Sequence, residues 1–297
     1  MKHVFIINPK AGKKNSYDKI YNILSKYMAN YDIEIHQTLA EHDATSFVKN
    51  YLNSYNDEVR FYACGGDGTL NEVVNGIIGY PNASVSLFPC GSGNDFVKSV
   101  GNINDFNDVE KLLNCKNKEI DVIKVNDLYS INVTNFGFEA YVCKIANKLK
   151  KNRTQNAYTL GIVAALFKAI TNEITVEVDG EILNKSGKLL ICTLANGAYV
   201  GGKYKCAPRY VIDNGLLEIC LIKPTNVFNL ISLIGVYKKG EHLENKRVKK
   251  LITYTRANKV KVYSNKKFDV CIDGEIIQGN EFNVEILHKA IKFGIPN

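Results

Sequence analysis

The chain has no apolar run long enough for a membrane-spanning helix. Its longest apolar stretches, residues 161–167 and 230–236, fall far short of the roughly 20 residues that cross a bilayer. The apolar run near residue 4 is too short for a signal peptide and is not followed by a cleavage site of small residues. We therefore expect a cytoplasmic protein that does not span a membrane.

Proline is scarce and no segment is of low complexity, which excludes a collagen-like or disordered chain. Only 6 of the 297 residues are proline, whereas 45% are hydrophobic and 23% are charged. This is the balance of a globular protein with a packed core. At roughly 100 to 200 residues per domain, the length predicts two domains.

Metal-binding and redox motifs are also missing. The eight cysteines include no Cys-x-x-Cys pair, and the five histidines show no ligand-like spacing. The sequence therefore predicts neither a zinc site nor a dithiol redox centre, and the cysteines are interpreted as buried thiols.

Positive charge is concentrated in one part of the chain. The net charge is +8, and the excess of basic residues lies beyond residue 125. Charge alone leaves the anionic partner open between nucleic acid and a membrane surface. Because the sequence has neither a groove-entering basic helix nor a recognisable RNA-binding motif, we expect no nucleic-acid partner.

The first 125 residues alternate between strand-like and helix-like patterns. Strand-like runs at residues 4–7, 33–37, 59–63 and 85–88 are separated by stretches of helical period. Asp43 is expected to cap the second of these helices. Strict alternation predicts a parallel sheet with helices on its faces, and so an α/β domain over residues 1–125.

Beyond residue 125 the pattern changes to β-runs separated by turn signals. The runs cover residues 129–134, 174–178, 189–194, 216–222, 259–263, 268–272 and 282–287. Two helix-like stretches interrupt them, at residues 140–151 and 157–170. The sequence predicts an antiparallel β-sandwich domain over residues 126–287. Whether residues 288–297 complete the first domain is left open.

The most informative segment reads CGGDGTLNE, at residues 64–72, where the third strand passes into a helix. Glycines at such a junction let the backbone approach a phosphate, and a helix N-terminus favours negative charge. The simpler interpretation is a tight turn followed by a capping box formed by Thr69 and Glu72. Three glycines around Asp67 exceed what a turn requires, so we favour phosphate binding.

Two further junctions are predicted at the same edge of the sheet. The segment PCGSGNDF, at residues 89–96, follows the fourth strand, and NPKAGKK, at residues 8–14, follows the first. Ligands of parallel sheets bind at the carboxyl ends of the strands, so we expect the three loops to converge. These positions match neither a P-loop nor a Gly-x-Gly-x-x-Gly fingerprint, which disfavours ordinary P-loop enzymes and dinucleotide dehydrogenases.

These motifs resemble the diacylglycerol kinase catalytic-domain family, particularly its soluble bacterial lipid kinases, over nearly the whole chain. Further marks are NG at residues 196–197, GG at 201–202, AP at 207–208 and DGE at 273–275. The GGDGT segment alone is shared with NAD kinases, and the second glycine-rich segment favours lipid kinases. The resemblance implies that ATP and Mg²⁺ are used to phosphorylate the hydroxyl of diacylglycerol or a related membrane lipid.

By position, the resemblance implies the residues of an ATP site. Asp67 and Asp95 would hold the catalytic Mg²⁺ and the phosphates. Asp121 would be the acidic partner of a basic network that includes Lys13 or Lys14. The residues implied to line the ATP site are Asn8, Lys10, Thr38, Gly65, Gly66, Asp67, Gly68, Thr69, Leu70, Asn71 and Ser92.

The tripeptide Asp-Gly-Glu occurs twice, at residues 179–181 and 273–275. Local chemistry does not separate the copies, because Asp-Gly favours a hairpin turn in both. The residues after the second copy resemble the family's carboxyl end. Glu275 is therefore assigned as the general base that deprotonates the acceptor hydroxyl, and Glu181 as a turn residue.

A structural Mg²⁺ site known in the resembling proteins is left open here. In those proteins a carboxylate directly precedes a glycine, whereas Asn214 occupies that place in this chain. An amide oxygen is a weaker ligand for a hard cation. Asp213 is the alternative carboxylate, with the carbonyl groups of Val211 and Leu216 completing the site.

The prediction of a lipid-binding surface rests on an apolar helix and two basic clusters. Residues 158–167 are apolar nearly all round, which fits either a core helix or the wall of an acyl-chain cleft. Basic residues precede this helix, at 144–153, and recur at 238–250. These basic residues fit either a solvent-exposed face of the protein or a surface that binds an anionic membrane. We expect peripheral membrane association, with a homodimer left open.

Two alternatives to a lipid kinase stay open. One is a kinase of a soluble substrate, of the NAD kinase type, which the missing Gly-x-Leu-Gly-Phe pattern after Thr69 disfavours. The other is a non-catalytic nucleotide- or lipid-binding relative, which the joint presence of Asp67, Asp95 and Glu275 disfavours.

Overall fold

A computed structural model describes residues 1–12, 16–151, 157–166 and 171–296. The chain divides into two compact units. The first comprises Met1–Val122 and His288–Asn297, and the second comprises Ile123–Leu287.

The first unit is built on a parallel sheet. Strands β1 (Lys2–Ile7), β2 (Ile33–Gln37), β3 (Val59–Gly65) and β4 (Ala83–Pro89) lie in the order β2–β1–β3–β4 and pair in parallel. Helices α1 (Ser16–Leu24), α2 (Asp43–Ser54) and α3 (Asp67–Ile77) connect them. Every residue of β3 and β4 is buried, as expected for strands covered on both faces. The predicted α/β organisation is confirmed, and β1, β3 and β4 end at the same edge.

The first unit is completed by short helices and by the end of the chain. Helices α4 (Val97–Val100), α5 (Ile103–Phe106) and α6 (Val109–Leu113) lead into β5 (Lys116–Val125). Near the C-terminus, Phe293 pairs in parallel with Val85 of β4. Its buried ring lies 5.3 Å from Phe96 and 6.3 Å from Phe106 between ring centres. The last residues are thus a strand of this unit.

The second unit is built on an antiparallel sheet in the order β14–β13–β10–β7–β15–β16. Its other strands form short hairpins, and three helices separate the strands. The elements, in chain order, are β6 (Leu128–Ser130), β7 (Val133–Gly137), α7 (Phe138–Lys151), α8 (Ala157–Ala165), β8 (Thr175–Val178), β9 (Glu181–Ile182), β10 (Ile191–Ala195), β11 (Tyr199–Val200), β12 (Tyr204–Lys205), β13 (Leu217–Ile222), α9 (Val227–Lys239), a 3₁₀ turn (Lys249–Leu251), β14 (Ile252–Ala257), β15 (Lys259–Ile272) and β16 (Glu275–Ile295).

This sheet is buried on both faces. Along β13, Ile219 and Leu221 pack into one apolar cluster, whereas Cys220 and Ile222 pack into another. The first cluster is the core between the strands of the sandwich, and the second lies beneath α7, α8 and α9. Side chains alternate between the faces of a strand, so one strand contributes to both cores. The predicted antiparallel sandwich is confirmed, with a helical layer added on one face.

Two strand predictions are wrong in detail. Residues 259–263 and 268–272 belong to one strand, β15, whose pairing with β16 shifts register between Tyr263 and Phe268. Residues 129–134, predicted as one strand, are split between β6 and β7. The split occurs because the Asp273 carboxylate accepts hydrogen bonds from the backbone N–H groups of residues 131 and 132, which are therefore not available to a sheet ladder.

Asp43 is not a helix cap. Helix α2 begins at Asp43 itself, after His42 in the left-handed conformation at φ 64°. The Asp43 carboxylate instead accepts a hydrogen bond from the backbone N–H of Leu39 at 3.1 Å and lies 3.0 Å from Nε2 of His36. It orders the loop that precedes the helix.

Helices α8 and α9 differ from the sequence prediction. Helix α8 ends at Ala165, and residues 167–170 of the predicted helix lie outside the described residues. Helix α9 was not predicted, nor were β5 and β14, because weak or uniform hydropathy gives little period. Over the part of the chain that the structure describes, no helix has both the length and the apolarity to span a bilayer.

Candidate active site

The glycine turns that follow β1, β3 and β4 meet at one edge of the first unit. A Cβ placed on Gly91 would lie 2.5 Å from Cα of Gly66, and one on Gly12 would lie 2.7 Å from the carbonyl oxygen of Cys90. Gly12 also has a φ of +77°, which side chains rarely adopt. The turns approach so closely that only glycine fits at these positions.

Backbone hydrogen bonds hold these turns together. The carbonyl oxygen of Gly65 accepts from the N–H groups of Cys90 at 2.8 Å and Gly91 at 3.1 Å. The side-chain amide of Asn8, after β1, donates to Oγ1 of Thr69 at 3.1 Å. The three loops are therefore linked before any ligand binds.

The predicted capping box of Thr69 and Glu72 is wrong. Helix α3 begins two residues earlier, at Asp67, and its N-cap residue is Gly66, which makes no side-chain cap bond. Thr69 faces Gly65 and receives the bond from Asn8, while the Glu72 carboxylate accepts from the N–H of Ala44 at 3.2 Å. Helix α3 begins directly after the glycine turn at Gly66, so the positive end of the helix dipole faces the glycine turns.

Asp67 and Asp95 are brought together by this arrangement. Oδ1 of Asp67 accepts from the backbone N–H of Asp95 at 2.6 Å and of Phe96 at 3.2 Å. Lys98, which sequence analysis missed, donates to Oδ1 of Asp95 at 2.9 Å and to the carbonyl of Gly93 at 2.8 Å. A basic residue three positions after Asp95 was the only sequence signal for this contact.

Oδ2 of Asp67 and Oδ2 of Asp95 face the same glycine, Gly93. A Cβ on Gly93 would lie 3.0 Å from Oδ2 of Asp67 and 3.5 Å from Oδ2 of Asp95. Mg²⁺ in phosphoryl-transfer sites is held by one or two carboxylates, with phosphate and water oxygens as the other ligands. Among the described residues, no cluster of three or more His, Cys, Asp or Glu side chains could hold a metal. The two carboxylates near Gly93 fit the donor set of a Mg²⁺ ion whose other ligands are phosphate and water oxygens.

The other residues of the predicted ATP site border the same turns in the first unit. The exposed Lys10 donates its backbone N–H to Oδ1 of Asn8 at 2.9 Å. The backbone N–H of Thr38 donates to the carbonyl of Ile7 at 2.9 Å, directly after β2. Ser92 is exposed in the turn after β4. Within α3, Gly68 and Asn71 are half-buried and Leu70 is fully buried, so Leu70 packs into the core.

Asp121 is a buried carboxylate whose partners, His288 and Lys289, the sequence did not reveal. Its carboxylate is fully buried, and Oδ1 accepts from the backbone N–H of Lys289 at 2.7 Å and lies 2.9 Å from Nδ1 of His288. Lys13 and Lys14, the predicted basic partners, lie outside the described residues. Asp121 thus ties the end of the chain to β5.

The two Asp-Gly-Glu segments are both hairpin turns. Asp179 and Gly180 have φ values of 53° and 84°, and Asp273 and Gly274 have values of 47° and 101°. Positive φ at both central residues is the geometry that Asp-Gly favours. The turns connect β8 to β9 and β15 to β16 respectively.

The second turn is anchored by its aspartate. The Asp273 carboxylate accepts from Oγ of Ser130 at 2.7 Å and from the backbone N–H groups of Ile131, Asn132 and Val133 at 2.7 to 3.1 Å. The carbonyl of Asn132 in turn accepts from the N–H groups of residues 196 and 197. The motif segments at 196–197 and 273–275 therefore belong to one hydrogen-bonded assembly in the second unit.

Glu275 projects from this anchored turn. It is exposed at the first position of β16. The preceding carbonyl, of Gly274, accepts from Nδ2 of Asn147 at 2.7 Å and from Sγ of Cys143 at 3.2 Å. Helix α7 thus holds the turn from its other side through the Gly274 carbonyl. Glu181 is also exposed, but it lies on the two-residue strand β9.

The predicted structural Mg²⁺ site lies in the segment 211–216, which contains Asn214. Its Oδ1 accepts from the backbone N–H of Leu216 at 3.0 Å, so the amide oxygen is engaged within its own loop. Asp213 is half-buried and Val211 is 41% exposed. The structural Mg²⁺ site stays a prediction.

The second unit contains an apolar cavity between its helices and its sheet. The cavity is lined by side chains of α7, α8, α9 and β10, among them Val142, Ile162, Ile191, Leu233 and Tyr237. The predicted apolar helix, α8, is one wall of this cavity. Phe167 lies outside the described residues.

One carboxyl group, from Glu139, lines the same cavity. Glu139 is 5% exposed, and its Oε2 accepts from Oγ1 of Thr193 at 2.9 Å. Oγ1 of Thr193 also lies 3.0 Å from the hydroxyl oxygen of Tyr237. Burial raises the pKa of Glu139 to about 7, against the opposing effect of hydrogen bonds from Thr193 and Tyr237. Sequence analysis missed this residue, because burial of a single Glu leaves no pattern.

Comparison with known proteins agrees with this geometry. The model of the diacylglycerol kinase catalytic domain matches residues 2–125, and that of the YegS C-terminal NAD kinase beta sandwich-like domain matches residues 132–293. A diacylglycerol kinase of Bacillus subtilis (strain 168) is 31% identical over 275 residues, which cover 91% of this chain and 88% of the relative. The chain belongs to the diacylglycerol kinase catalytic-domain family. It is a lipid kinase, a phosphotransferase with an alcohol group as acceptor.

Other members of this family and solved structures extend the match. A diacylglycerol kinase of Staphylococcus carnosus (strain TM300) is 27% identical over 91% of this chain and 87% of its own length. The crystal structure of a diacylglycerol kinase from Bacillus anthracis str. Sterne covers the whole chain and 97% of that structure, with a TM-score of 0.73 and 22% identity. The structural match confirms the fold.

Proposed function

We propose that this kinase uses ATP and Mg²⁺ to phosphorylate the free hydroxyl of diacylglycerol or a closely related lipid. The observation that carries the proposal is the convergence of three glycine turns on the paired carboxylates of Asp67 and Asp95. Turns with no room for a Cβ, next to a helix N-terminus and two carboxylates, suit the triphosphate of a nucleotide with its metal. The acceptor lipid is suggested by the relatives that are named diacylglycerol kinases.

In this proposal, the first unit holds the nucleotide. The backbone N–H groups of the glycine turns and of the first turn of α3 bind phosphate oxygens. Lys10, at the exposed turn after β1, adds positive charge. The hydrogen bond between Asn8 and Thr69 keeps the turn after β1 next to the first turn of α3. Phosphoryl transfer depends mainly on positioning and on neutralising charge.

Asp67 and Asp95 would hold the Mg²⁺ ion through their Oδ2 atoms. When bound, Mg²⁺ withdraws negative charge from the phosphates and orients them for transfer. Asp67 also keeps the turn after β4 closed through its Oδ1 atom, and Lys98 orients the Asp95 carboxylate. The two side chains thus combine metal binding with loop positioning.

Glu275 would act as the general base. Its carboxylate takes the proton from the lipid hydroxyl as that oxygen forms a bond to the γ-phosphorus. The bond between the γ-phosphorus and the bridging oxygen of ADP breaks, so the products are ADP and a lipid phosphate. The anchored turn at Asp273 and Gly274 holds the backbone below this carboxylate. The reach of Glu275 to the glycine turns stays a prediction.

The apolar cavity of the second unit, about 20 Å³ in volume, would widen between its helices to receive an acyl chain of the acceptor. Its lining is almost wholly apolar, and helix α8 is one of its walls, which fits the acyl-chain alternative for that helix. Exposed basic residues would keep the enzyme on an anionic membrane from the cytoplasmic side; those within the described side chains are Lys148, Lys238, Lys239, Lys246, Arg247, Lys249 and Lys250. Arg153 lies outside the described residues.

A kinase assay on a panel of acceptors tests the proposal. The purified chain is incubated with labelled ATP, Mg²⁺ and mixed micelles that contain diacylglycerol, monoacylglycerol, ceramide or sphingosine, and in a separate reaction with NAD. We expect label in the phosphorylated form of diacylglycerol or a near relative. Formation of NADP, or labelling that Asp67→Ala leaves unchanged, would contradict the proposal.

The matched control is Asp18→Asn. Asp18 is an exposed aspartate on α1, so its replacement changes the net charge by the same amount as Asp67→Ala. Its activity should equal that of the wild type. Omitting Mg²⁺ or adding a chelator should abolish transfer, and a rate that is insensitive to chelation would remove the metal from the mechanism.

A further inference from the structure

The outer face of helix α9 carries apolar side chains that are exposed. Phe228 is 83% exposed and Ile231 is 55% exposed. Ser232 and Gly235 continue the same stripe of the helix and are also exposed, and a Cβ on Gly235 would meet no atom within 4 Å. We call these four residues the outer stripe.

The inner face of the same helix lines the apolar cavity. Leu230, Leu233, Ile234 and Tyr237 all border it. Helix α9 thus has one face on the cavity and the opposite face exposed to solvent. Apolar residues on both sides of a helix indicate that it is covered on both sides when the protein works.

Helix α8 repeats this arrangement on another wall of the cavity. Tyr158 and Ile162 face the cavity, whereas Leu160 and Val163 are 44% and 51% exposed. The exposed apolar groups are therefore found on two of the helices that enclose the cavity.

Positive charge borders the outer stripe. The helix ends in Lys238 and Lys239, and exposed basic residues follow at 246, 247, 249 and 250. Of the nearby acidic residues, Glu241 is exposed and Glu244 is paired with Arg209. An apolar stripe beside a cluster of Lys and Arg is the pattern of a helix that lies in the interface of an anionic membrane.

We infer that the outer stripe of α9 inserts Phe228 and Ile231 into the interface of an anionic phospholipid bilayer, with the basic residues after the helix on the lipid headgroups. The inference rests on the proposed lipid acceptor, and it adds the surface through which that lipid is reached. A protein partner fits less well, because a specific protein interface covers roughly 800 Å² on each partner, far more than two apolar side chains on one helix.

A tryptophan reporter tests the insertion directly. The sequence contains no Trp, so Phe228→Trp introduces a single fluorophore without background. With vesicles of phosphatidylcholine and phosphatidylglycerol, and without ATP, we expect the emission of this variant to shift to the blue and to be quenched by brominated lipids. Vesicles of phosphatidylcholine alone, or added salt, should weaken both effects.

The matched control is Ile182→Trp. Ile182 is 44% exposed on strand β9, in the same unit but away from the helical layer. Its emission should not change with vesicles. An equal response at both positions would indicate nonspecific adsorption, and no response at position 228 would also overturn the inference.

A second variant separates docking from chemistry. Phe228→Ser combined with Ile231→Ser removes the apolar groups but no cavity-lining residue. We expect its affinity for anionic vesicles to fall about 10-fold or more, and its rate on long-chain diacylglycerol in vesicles to fall in parallel. Its rate on a short-chain, water-dispersed diacylglycerol should remain that of the wild type. Circular dichroism and the thermal midpoint confirm that the variant is folded.

The outcomes distinguish this inference from the proposed function. If Trp at position 228 inserts but no lipid is phosphorylated, the docking surface stands and the proposed acceptor is wrong. If lipid is phosphorylated but the double variant binds vesicles as tightly as the wild type, the proposed function stands and the docking surface is wrong.

Discussion

The carboxylate of Asp67 accepts a hydrogen bond from the backbone N–H of Asp95 at 2.6 Å. Asp67 opens α3 directly after β3, and Asp95 lies in the turn after β4. Two neighbouring parallel strands thus deliver two carboxylates to one place, and the backbone bond keeps the turns closed. One oxygen of Asp67 serves the fold, and the other faces Gly93 together with Asp95.

Substitution of Asp67 separates these two tasks. Asp67→Asn keeps an oxygen for the N–H groups of Asp95 and Phe96 but removes the charge, so we expect a thermal midpoint close to that of the wild type. Activity should fall about 100-fold or more, as when a preorganised charge is lost from a transition state. Asp67→Ala should lose both activity and stability. Differential scanning fluorimetry and the kinase assay measure the two effects, and full activity in Asp67→Asn would contradict the assignment.

The duplicated Asp-Gly-Glu segment provides an internal control for the base. Glu275→Gln should lower kcat by about 100- to 10,000-fold, the range expected for loss of a general base, with little change in the KM for ATP. Glu181→Gln makes the same change on an exposed turn and should behave as the wild type. Steady-state kinetics for both variants decide the matter. Equal rates for the two would mean that the proton is removed by another group.

The anchoring of Asp273 predicts a difference in stability. Asp273→Asn turns an amide N–H₂ toward the donors that surround the carboxylate, and so disrupts the charge-assisted bonds. We expect the free energy of unfolding to fall by about 2 to 3 kcal/mol. Asp179→Asn is the control, because Asn tolerates the same positive φ and the Asp179 side chain is exposed. Urea unfolding of both variants measures the difference, and similar losses would show that the anchor is weak.

Glu139 predicts a pH dependence of stability. Its pKa rises from 4.5 to about 7 on folding, so the folded state binds the proton more tightly than the unfolded state. Stability from this group is therefore present at low pH and is lost as pH rises from about 4.5 through 7, by about 3 kcal/mol at most. Glu139→Gln keeps the acceptor for Thr193 but does not titrate.

The comparison must be made between the two proteins, because buried histidines act in the opposite direction. Burial lowers the pKa of both His3 and His242 to about 4, so the stability that they contribute increases as pH rises from about 4 to 6.5. The difference in thermal midpoint between Glu139→Gln and the wild type isolates Glu139. That difference should become more favourable to the variant between pH 5 and 7.5. A constant difference would mean that Glu139 is ionised throughout.

The cavity predicts a chain-length effect. Ile162→Phe places extra volume on the α8 wall of the cavity, where Ile162 is 8% exposed. We expect the KM for long-chain acceptors to rise, with the rate on short-chain acceptors preserved. The mirror control is Val163→Phe, one residue further on the exposed side of α8. Kinetics over a series of acyl-chain lengths test this, and parallel losses at all lengths would instead indicate a disturbed fold.

Much of the fold could be predicted from short stretches of the chain. The turn at Gly12 and the hairpin turns at 179–180 and 273–274 depend on positive φ values that few residue types adopt. The alternation of strands and helices depends on which face of each element is apolar. Both signals are complete within about ten residues, so they are readable without knowledge of the rest of the chain.

The sequence by itself determined where the turns, the parallel sheet and the antiparallel sheet occur, and which residue types stand at each turn. Only the tertiary structure decided what the side chains do. Oγ1 of Thr69 accepts a hydrogen bond from Asn8 instead of capping a helix, the Asp273 carboxylate is anchored by Ser130 and three backbone N–H groups, and Glu139 is buried. The physical reason is distance along the chain. The bond from Ser130 to Asp273 joins residues 143 positions apart, and no local pattern records which distant donor a carboxylate meets.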